Sequence, residues 1–492
     1  MSDVKAAETA KTIAQPLDKR TKWSYCVGAT GRDMAYALVS MYLITYIQYT
    51  MKLTVAQYGA ISAILVVCLI WDAINDPMMG IIIENARFKS GKYRPWILLG
   101  VILNAIVIVM LFTLRPEGWA FVIFFGISYL CWGMTFTMND ISYWGLLPSL
   151  SSDPKERNSL VSLMSIFCCV GQFAIAGVIP IVVAGNAVNA YRIAALVVAL
   201  CFLAFQLLTF FGVKERKRSS ENEQKKLSLK DMFKIFLRND QLVVAGIACL
   251  LFNIGNGLLI LLGMNFFYFE FGYSEGGNLI FMFTVMYGVG TLISQGCYAT
   301  IARKFTRRAM LRFLTFAIIV SYFLFLITGR IIPQNPIILY AEGFLIFFFQ
   351  GLFNMNVVVM LNNTIEYDEY RFKERHDSII SAVRSFAVKL SSAINQGIQA
   401  LILIISGIYA ISQNISALEV EKGKGLLSSE EVLASADSYI QTATSTQKLI
   451  LRIGITLIPV LVIVTADILL KKKYKIDEVE YKRLVKEIEE RQ

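Results

Sequence analysis

The stretch WDAINDPMMG, residues 71–80, sets two carboxylates inside an apolar run of the chain. Asp72 and Asp76 are four residues apart, so on a helix they lie one above the other, with Asn75 beside them. The surrounding segment 56–83 exceeds the roughly 20 residues that a helix needs to cross a bilayer. Because an ionisable residue in a membrane helix costs at least a few kcal/mol, it is functional by default. The stretch therefore predicts a membrane helix that carries a functional site.

The composition of the whole chain agrees with a membrane protein. Of its 492 residues, 56% are hydrophobic and only 17% are charged. A soluble domain has about a quarter charged residues and roughly 45–50% apolar ones. A soluble fold of this composition would leave much apolar surface exposed to water, so we exclude that class.

Twelve segments are apolar and long enough to cross a bilayer. They are residues 24–48, 56–83, 97–114, 119–148, 159–184, 191–213, 240–268, 278–301, 309–330, 337–362, 379–410 and 449–470.

A loop rich in Lys, Glu and Ser, residues 214–236, separates the first six segments from the last six. Two six-helix bundles across a basic central loop are typical of the major facilitator fold, an all-α membrane architecture. We predict an N-terminal bundle (1–213), a C-terminal bundle (237–470) and a cytoplasmic tail (471–492).

The distribution of charge predicts the orientation. Connections after even-numbered segments are basic, and the tail opens with three lysines, whereas the long connection 411–448 is net acidic. The positive-inside rule places both termini in the cytoplasm, and we expect a bacterial inner membrane. Residues 1–22 have no apolar core, so we expect no cleaved signal peptide. The end of the tail, 474–492, predicts a short charged helix in solvent.

The excess of basic residues does not indicate nucleic-acid binding. The formal net charge of +11 lies in loops between segments, where it faces anionic membrane lipid. The eight cysteines show no CxxC spacing and lie in or beside apolar stretches, as small buried side chains do. The only histidine, His376, lies in a charged loop. We therefore expect no resident cofactor and no His-based metal or catalytic site, and we expect a functional monomer.

The acid pair of the second segment predicts a cation site. Two carboxylates this close repel each other, so one holds a proton unless a cation neutralises the pair. Na⁺, Li⁺ and H⁺ all suit a set of two carboxylates, the Asn75 amide and a hydroxyl. Pro77 weakens the helix here and can free a backbone carbonyl. The alternative is that Asp76, near the helix end, pairs with a base at the cytoplasmic rim.

Acids also lie in the first and fourth segments. Asp140 is followed four residues later by Trp144, and a carboxylate beside an indole suits a sugar, whose hydroxyls donate while its apolar face stacks. The alternative is that Trp144 only packs against its neighbours or lies in the aromatic belt. Asp33 follows Arg32 in the first segment, where Arg32 either pairs with an acid or points into a cavity.

The second half contributes bases instead. Arg384 and Lys389 lie well inside the segment 379–410. A lone buried cation needs a partner, so acids of one bundle and a lysine of the other attract each other across a central cavity. Snorkelling of Lys389 to the interface is the alternative.

Together these motifs resemble the glycoside–pentoside–hexuronide cation symporters, the melibiose permease family. The resemblance covers nearly the whole chain, in order and spacing. It rests on GATGRD (28–33), WDAINDPMMG (71–80), KSGKYRPW (89–96), WGMTFTMNDISYW (132–144) and AVK (387–389).

The resemblance implies a role for each matched residue. It implies a coupling-cation site, for Na⁺ if sodium drives transport, of Asp72, Asn75, Asp76 and Thr137. It implies a sugar site of Asp33 and Asp140 with Arg32 and Trp144 beside them, and Lys389 near both sites. It also implies a salt-bridged cytoplasmic gate of Arg157, Glu366, Asp368, Glu369 and Arg375.

The chain departs from melibiose permease in the sugar site. Ser165, Asn354 and Leu69 stand where that permease has an arginine, a tryptophan and an arginine, and Arg384 replaces a glutamine. We therefore count Arg384 as a candidate substrate residue and leave open whether the sugar is neutral or acidic.

The resemblance implies import of a glycoside, pentoside or hexuronide by symport with Na⁺ or H⁺. A lysolipid carrier of the same fold is the alternative, but the buried acids favour a polar solute. A membrane-embedded enzyme is a further alternative; it would need a nucleophile–base or metal constellation, which these motifs do not contain. The sequence therefore favours a transporter.

Overall fold

The computed structural model describes residues 17–86, 88, 91–151, 154–213, 215, 229–373 and 377–490. These residues form seventeen α-helices, and the only β-type pairing among them is one isolated bridge. The helices are α1 (Lys19–Thr50), α2 (Val55–Asn85), α3 (Arg94–Thr113), α4 (Trp119–Leu150), α5 (Pro154–Val183), α6 (Ala187–Gly212), α7 (Leu229–Arg238), α8 (Asp240–Phe271), α9 (Tyr273–Lys304), α10 (Arg307–Ile327), α11 (Pro336–Asn362), α12 (Thr364–Phe372), α13 (Asp377–Ile405), α14 (Ile408–Gly423), α15 (Ser429–Gln441), α16 (Ser445–Lys473) and α17 (Glu478–Glu489).

Eleven stretches of helix in the described residues are long and apolar enough to cross a membrane. The predicted segments coincide with helices, except that 379–410 is broken at Gly407, where α13 has ended and α14 begins; the all-α membrane fold is confirmed. The remaining segment, 24–48, lies in α1, which has 32 residues but is more polar. Arg32, Gln48 and several tyrosines lie within α1 and are buried by neighbouring helices. The protein is a multi-pass membrane protein.

The helices pack in two groups. The first group, α1–α6, is centred on α1, which packs against α5 and α6; the second group, α8–α11, α13 and α16, is centred on α8. Between the groups, α2 contacts α13 and α5 contacts α9, and α14 lies against α1 and α6. We call the end at which α14 lies the α14 end.

Small residues in α1 allow its close contact with α6. A Cβ at Gly31 would lie 2.9 Å from the Cα of Phe202 in α6. Since only glycine leaves room for the two backbones, α1 is held firmly where Arg32 and Asp33 follow.

Proline does not interrupt α2. The helix continues through Pro77 to Asn85. The acid pair therefore lies on one continuous helix face.

Two connections differ from simple loops. Within the predicted central loop 214–236, a helix, α7, begins at Leu229, since its apolar and basic residues alternate with helical spacing. The acidic connection 411–448 contains α14 and α15.

The tail does form the predicted charged helix, α17, but it is not simply solvated. Leu484 is buried, and the backbone N–H of Arg307 donates to Glu478 at 2.5 Å. Arg308 also lies 3.7 Å from Asp477 in an ion pair. These charged contacts fix the tail to the start of α10.

Candidate functional site

Three residues from three helices meet between the two groups. The Thr137 hydroxyl of α4 donates to Oδ1 of Asp76 in α2 at 3.0 Å. Lys389 of α13 forms an ion pair with Oδ2 of the same carboxylate. Both charged side chains are about three-tenths exposed, at 30% and 28%. We call Asp72, Asn75, Asp76, Thr137 and Lys389 the α2 cluster.

Asp72 lies one helical turn before Asp76 in α2 and is buried. It fits against α4 because residue 133 is glycine; a Cβ there would lie 2.5 Å from Oδ1 of Asp72. Asp72 is within electrostatic range of Asp76 and Lys389. Asn75 lies between Asp72 and Asp76 in the sequence and is also buried. Its Nδ2 has no hydrogen-bond partner among the described residues.

This donor set suits a monovalent cation. It consists of two carboxylates, an amide and a hydroxyl, all oxygen ligands of the hard type that alkali ions prefer. No group of three or more His, Cys, Asp or Glu that could hold a metal ion occurs in the described part of the chain. A transition-metal site is therefore not indicated by the side chains that surround Asp72 and Asp76.

The second cluster is built around Arg32 of α1. Its Nη2 lies 2.8 Å from Asp33 Oδ2, and its Nη1 lies 3.1 Å from Asp140 Oδ1 of α4. Arg32 is buried, whereas the Asp140 side chain is 35% exposed. The guanidinium carbon lies 4.9 Å from the ring centroid of Tyr143 and 5.6 Å from that of Trp144. We call these five residues the Arg32 cluster.

The chemistry of the Arg32 cluster suits a polyhydroxylated solute. The guanidinium holds two carboxylates in place, while Asp140 keeps part of its surface accessible. The indole of Trp144 is 42% exposed and lies one turn from Asp140, so it offers an apolar face beside hydrogen-bond acceptors. Such a pairing binds the hydroxyls and the C–H face of one ring together.

The two clusters are neighbours. Asp140 is within electrostatic range of both Lys389 and Asp76. Tyr36 lies between the clusters and interacts electrostatically with Asp33, Asp72, Asp76 and Asp140. A charge that enters one cluster therefore changes the potential in the other.

Arg384 is in neither cluster. Its side chain is exposed on α13, and among the described residues it forms no hydrogen bond or ion pair with Asp33, Asp76 or Asp140. The preceding residue, Val383, packs toward Gly246 of α8, so this part of α13 lies against the second group.

The predicted cytoplasmic gate lies only partly within the described residues. Asp368 pairs with Arg238 of α7 at 3.9 Å, within the second half of the chain. Arg157, half-buried in α5, makes no hydrogen bond or ion pair with Glu366 or Asp368 in the part of the chain that is described. Arg375 and His376 lie outside the described residues.

Hydrogen bonds between the two groups concentrate at the α14 end. Gln48 of α1 donates to Asn265 of α8 at 2.7 Å, and Tyr49 donates to the same oxygen at 2.8 Å. Tyr409 of α14 donates to the Leu53 carbonyl at 3.0 Å, which holds α14 to the first group. Contacts between the groups thus extend from the α2 cluster to this end.

A cavity of about 30 Å³ lies between α1 and the second group. Tyr42, Thr45, Thr284 and Tyr287 are among its lining residues, and none of the lining residues is charged. A volume of this kind holds about two water molecules. The charged clusters offer more hydrogen-bonding groups and are the better candidates for solute binding.

The sequence analysis did not identify Tyr36, Tyr143, Cys168 or Gly133 as site residues. Tyr36 lies one turn after Arg32 and Asp33, so helical spacing alone could have indicated it. Cys168 of α5 accepts a hydrogen bond from Arg32 at 3.4 Å. Only the packing of α4 and α5 against α1 and α2 brings Cys168 and Gly133 to the site.

Comparisons with known proteins agree with this architecture. A family model described as MFS/sugar transport protein matches residues 24–478. The lactose permease of Leuconostoc lactis is 26% identical over 424 residues, which cover 81% of this chain and 64% of that protein. The chain thus spans less than two thirds of that permease. An uncharacterized symporter of Bacillus subtilis, YnaJ, is 23% identical over 490 residues, 96% of this chain and 94% of its own.

A solved structure shares the fold. The bacterial homolog of the human lysosomal transporter Spinster, inward-facing and unoccupied, superposes with a TM-score of 0.60 at 12% identity, over 95% of this chain and 97% of that one. At this identity the likeness shows the fold alone. The family model, in contrast, matches most of the sequence, and the chain belongs to the MFS/sugar transport protein family.

Proposed function

We propose that the chain is a secondary active transporter that imports a sugar together with Na⁺, Li⁺ or H⁺. The observation that carries this proposal is the adjacency of the two clusters, an oxygen-rich acid pair bound to Lys389 and an acid–arginine–indole set beside it. The family, the lactose permease and the symporter among the relatives support the same function.

The α2 cluster is the proposed cation site. Asp72, Asn75, Asp76 and Thr137 supply the oxygen ligands, and Lys389 competes with the cation for Asp76. When a cation binds, Lys389 is released from the carboxylate, because both cannot neutralise the same oxygen. Protonation of the pair would have the same effect, so H⁺ and Na⁺ are equivalent in this scheme.

The Arg32 cluster is the proposed sugar site. Asp33 and Asp140 accept sugar hydroxyls, Arg32 orients both carboxylates, and Trp144 covers an apolar face of the ring. The two clusters contain four carboxylates but only Arg32 and Lys389 as bases. Since this excess of negative charge repels an anion, we infer that the sugar is a neutral glycoside or pentoside, and a hexuronide is the alternative.

Coupling follows from the shared electrostatics of the clusters. A cation at Asp76 lowers the negative potential near Asp140 and frees Lys389, so each solute raises the affinity for the other by the same factor. The two groups of helices would then rock about the clusters to expose them on alternate sides. We further propose that both termini face the cytoplasm of a bacterial cell, that the division between bundles lies at 214–236, and that the monomer transports.

Uptake into cells or vesicles tests the proposal. Labelled glycosides, pentosides and hexuronides are offered with and without Na⁺ at two pH values. We expect one class to accumulate only with a cation or proton gradient. Asp72→Cys and Asp76→Cys should abolish accumulation while exchange across the membrane survives. Full accumulation in either variant, or no gradient dependence in the parent, would refute cation symport.

A further inference from the structure

Glu419 of α14 is a buried acid that the proposed transport sites do not use. Its relative exposure is 0%, although glutamate is almost never fully buried unless it is paired. It lies outside the membrane-spanning stretches, and no ion pair with lysine or arginine is formed by it in the described part of the chain. Its burial therefore needs another explanation.

Both oxygens of Glu419 accept hydrogen bonds, and the donors come from both groups of helices. The backbone N–H of Gly185 donates to Oε1 at 2.9 Å, and that of Ala187 donates to Oε2 at 2.6 Å. Ala187 is the first residue of α6 in the first group, and Gly185 lies in the turn just before it. The hydroxyl of Tyr273, the first residue of α9 in the second group, donates to Oε1 at 2.8 Å. One carboxylate thus joins the two groups through α14.

Glu419 lies at the end where other hydrogen bonds also join the two groups. The bond of Gln48 with Asn265 lies at the same end. Opening this end breaks that bond together with the bond of Tyr273 to Glu419. The bonds at Glu419 differ, because a buried carboxyl group that loses its donors is costly until water replaces them. Glu419 therefore resists partial opening, before water can enter.

We propose that Glu419 is a latch that holds the α14 end closed by accepting hydrogen bonds from the start of α6 and from Tyr273 at once. Only the part that this latch plays in transport rests on the proposed function. The closure itself is a property of the protein without any solute.

The latch responds to pH. The groups that face Glu419 are Tyr191, Tyr268 and Tyr273, with Lys422 on its own helix. Burial raises the pKa of Glu419 from 4.5 to about 7, against the opposing effect of its three donors. When Glu419 is protonated, the Tyr273 hydroxyl can accept a hydrogen bond from the acid instead of donating one. When the end opens, water reaches the carboxyl and its pKa falls back toward 4.5.

The sign of the pH effect follows from these two values. The closed end binds the proton more tightly than the open end, so closure is favoured fully below pH 4.5 and progressively lost as the pH rises to about 7. Above that value the ionised carboxylate makes closure least favourable. Acid conditions thus strengthen the latch.

Distance measurement between spin labels tests the latch. Cysteines replacing Glu117 and Ile331 are labelled in an otherwise cysteine-free full chain; both positions are exposed and lie in connections of the α14 end in different groups. Distances are measured at pH 5.5 and pH 8.5 without substrate. We expect the parent protein to shift from a short toward a longer distance as the pH rises.

Three variants isolate the carboxylate. Glu419→Ala should populate the longer distance at both pH values, and Glu419→Gln, which cannot ionise, should show no pH shift. Asp437→Asn is the matched control, since Asp437 also accepts from Tyr273 but joins α15 only to α9. It should behave as the parent does.

Two outcomes would overturn the latch. One is a Glu419→Ala distribution identical to that of the parent at both pH values, and the other is a Glu419→Gln variant that keeps the parent's pH shift. If Glu419→Ala does not elute as a folded monomer, the comparison of the pH shift in Glu419→Gln with that in the parent still tests the latch. Failure of the sugar panel would refute transport but leave these distances interpretable, so the two proposals fail separately.

Discussion

Lys389 of α13 forms an ion pair with Asp76 of α2, and through it the second group of helices touches the acid pair of the first group. Asp76 at the same time accepts the Thr137 hydroxyl at 3.0 Å. A single carboxylate therefore connects three helices and both groups. Whatever neutralises Asp76 also decides whether Lys389 stays bound, which makes the pair the point at which binding and rearrangement meet.

A double-mutant cycle should detect this pair. We expect Lys389→Met to destabilise the protein by roughly 1–2 kcal/mol, less than the about 3–5 kcal/mol for a fully buried pair, because both side chains are about three-tenths exposed. Asp76→Asn combined with Lys389→Met should cost less than the sum of the single changes. Thermal unfolding in detergent measures all four proteins.

The pair Asp467–Lys471 within α16 is the control, since it lies in one helix and away from both clusters. Its neutralisation should leave uptake unchanged. Strict additivity of Asp76→Asn and Lys389→Met would contradict an energetic link between them.

Gly133→Ala should disrupt the cation site through Asp72. The new methyl group would lie 2.5 Å from Oδ1 of Asp72, so either the carboxylate or α4 must shift. Overpacking of this kind costs about 1–3 kcal/mol. We expect the cation concentration that gives half-maximal sugar uptake to rise about tenfold.

Gly126→Ala on the same helix is the matched control. There the nearest atom to the added Cβ, on Ile64, lies at an ordinary 3.5 Å. Its cation dependence should match that of the parent. Equal behaviour of the two variants would show that Asp72 tolerates displacement and is not a ligand.

Asp140→Ala should weaken sugar binding in purified protein. The change removes an acceptor for sugar hydroxyls and leaves Arg32 with Asp33 as its only described carboxylate partner. An unmet hydrogen bond to a charged group costs about 1.5–3 kcal/mol, which corresponds to roughly 10- to 150-fold weaker binding. Asp33→Ala should have a similar effect.

The aromatic partner gives an independent check of the sugar site. Trp144→Ala should also weaken binding, whereas Trp119→Ala, an exposed tryptophan at the start of α4, should not. Parent-like sugar affinity in Asp140→Ala would exclude the Arg32 cluster as the sugar site.

Arg384→Gln should separate a neutral from an acidic substrate. Arg384 is exposed and lies outside both clusters, so a neutral glycoside should be taken up by the variant as by the parent. A hexuronide held bidentately by the guanidinium would lose uptake in the variant. The measurement is uptake of the labelled sugar with its acidic analogue as a competitor at millimolar concentration. Selective loss of the acid would overturn our inference of a neutral sugar.

The sequence alone determined the membrane class, the positions of the apolar helical segments and the placement of Asp72 and Asp76 on one helix face. It could do so because hydropathy and helical spacing are local properties: Asp72 and Asp76 share a face by their separation of four, and α2 keeps that face through Pro77. The pairing of Lys389 with an acid of the first bundle was also predicted, although its partner among several acids was not.

Only the tertiary structure decided which residues from distant segments meet. Arg32 had several possible partners in the sequence, and the packing of α1 against α4 selects Asp33 and Asp140 together. The same packing leaves Arg384 outside both clusters and pairs Asp368 with Arg238 instead of Arg157. The role of Glu419 depends on donors 234 and 146 residues away, Gly185 and Tyr273, and no local pattern marks it. Long-range contacts of this kind arise from how whole helix faces fit, which the spacing of residues within one helix does not encode.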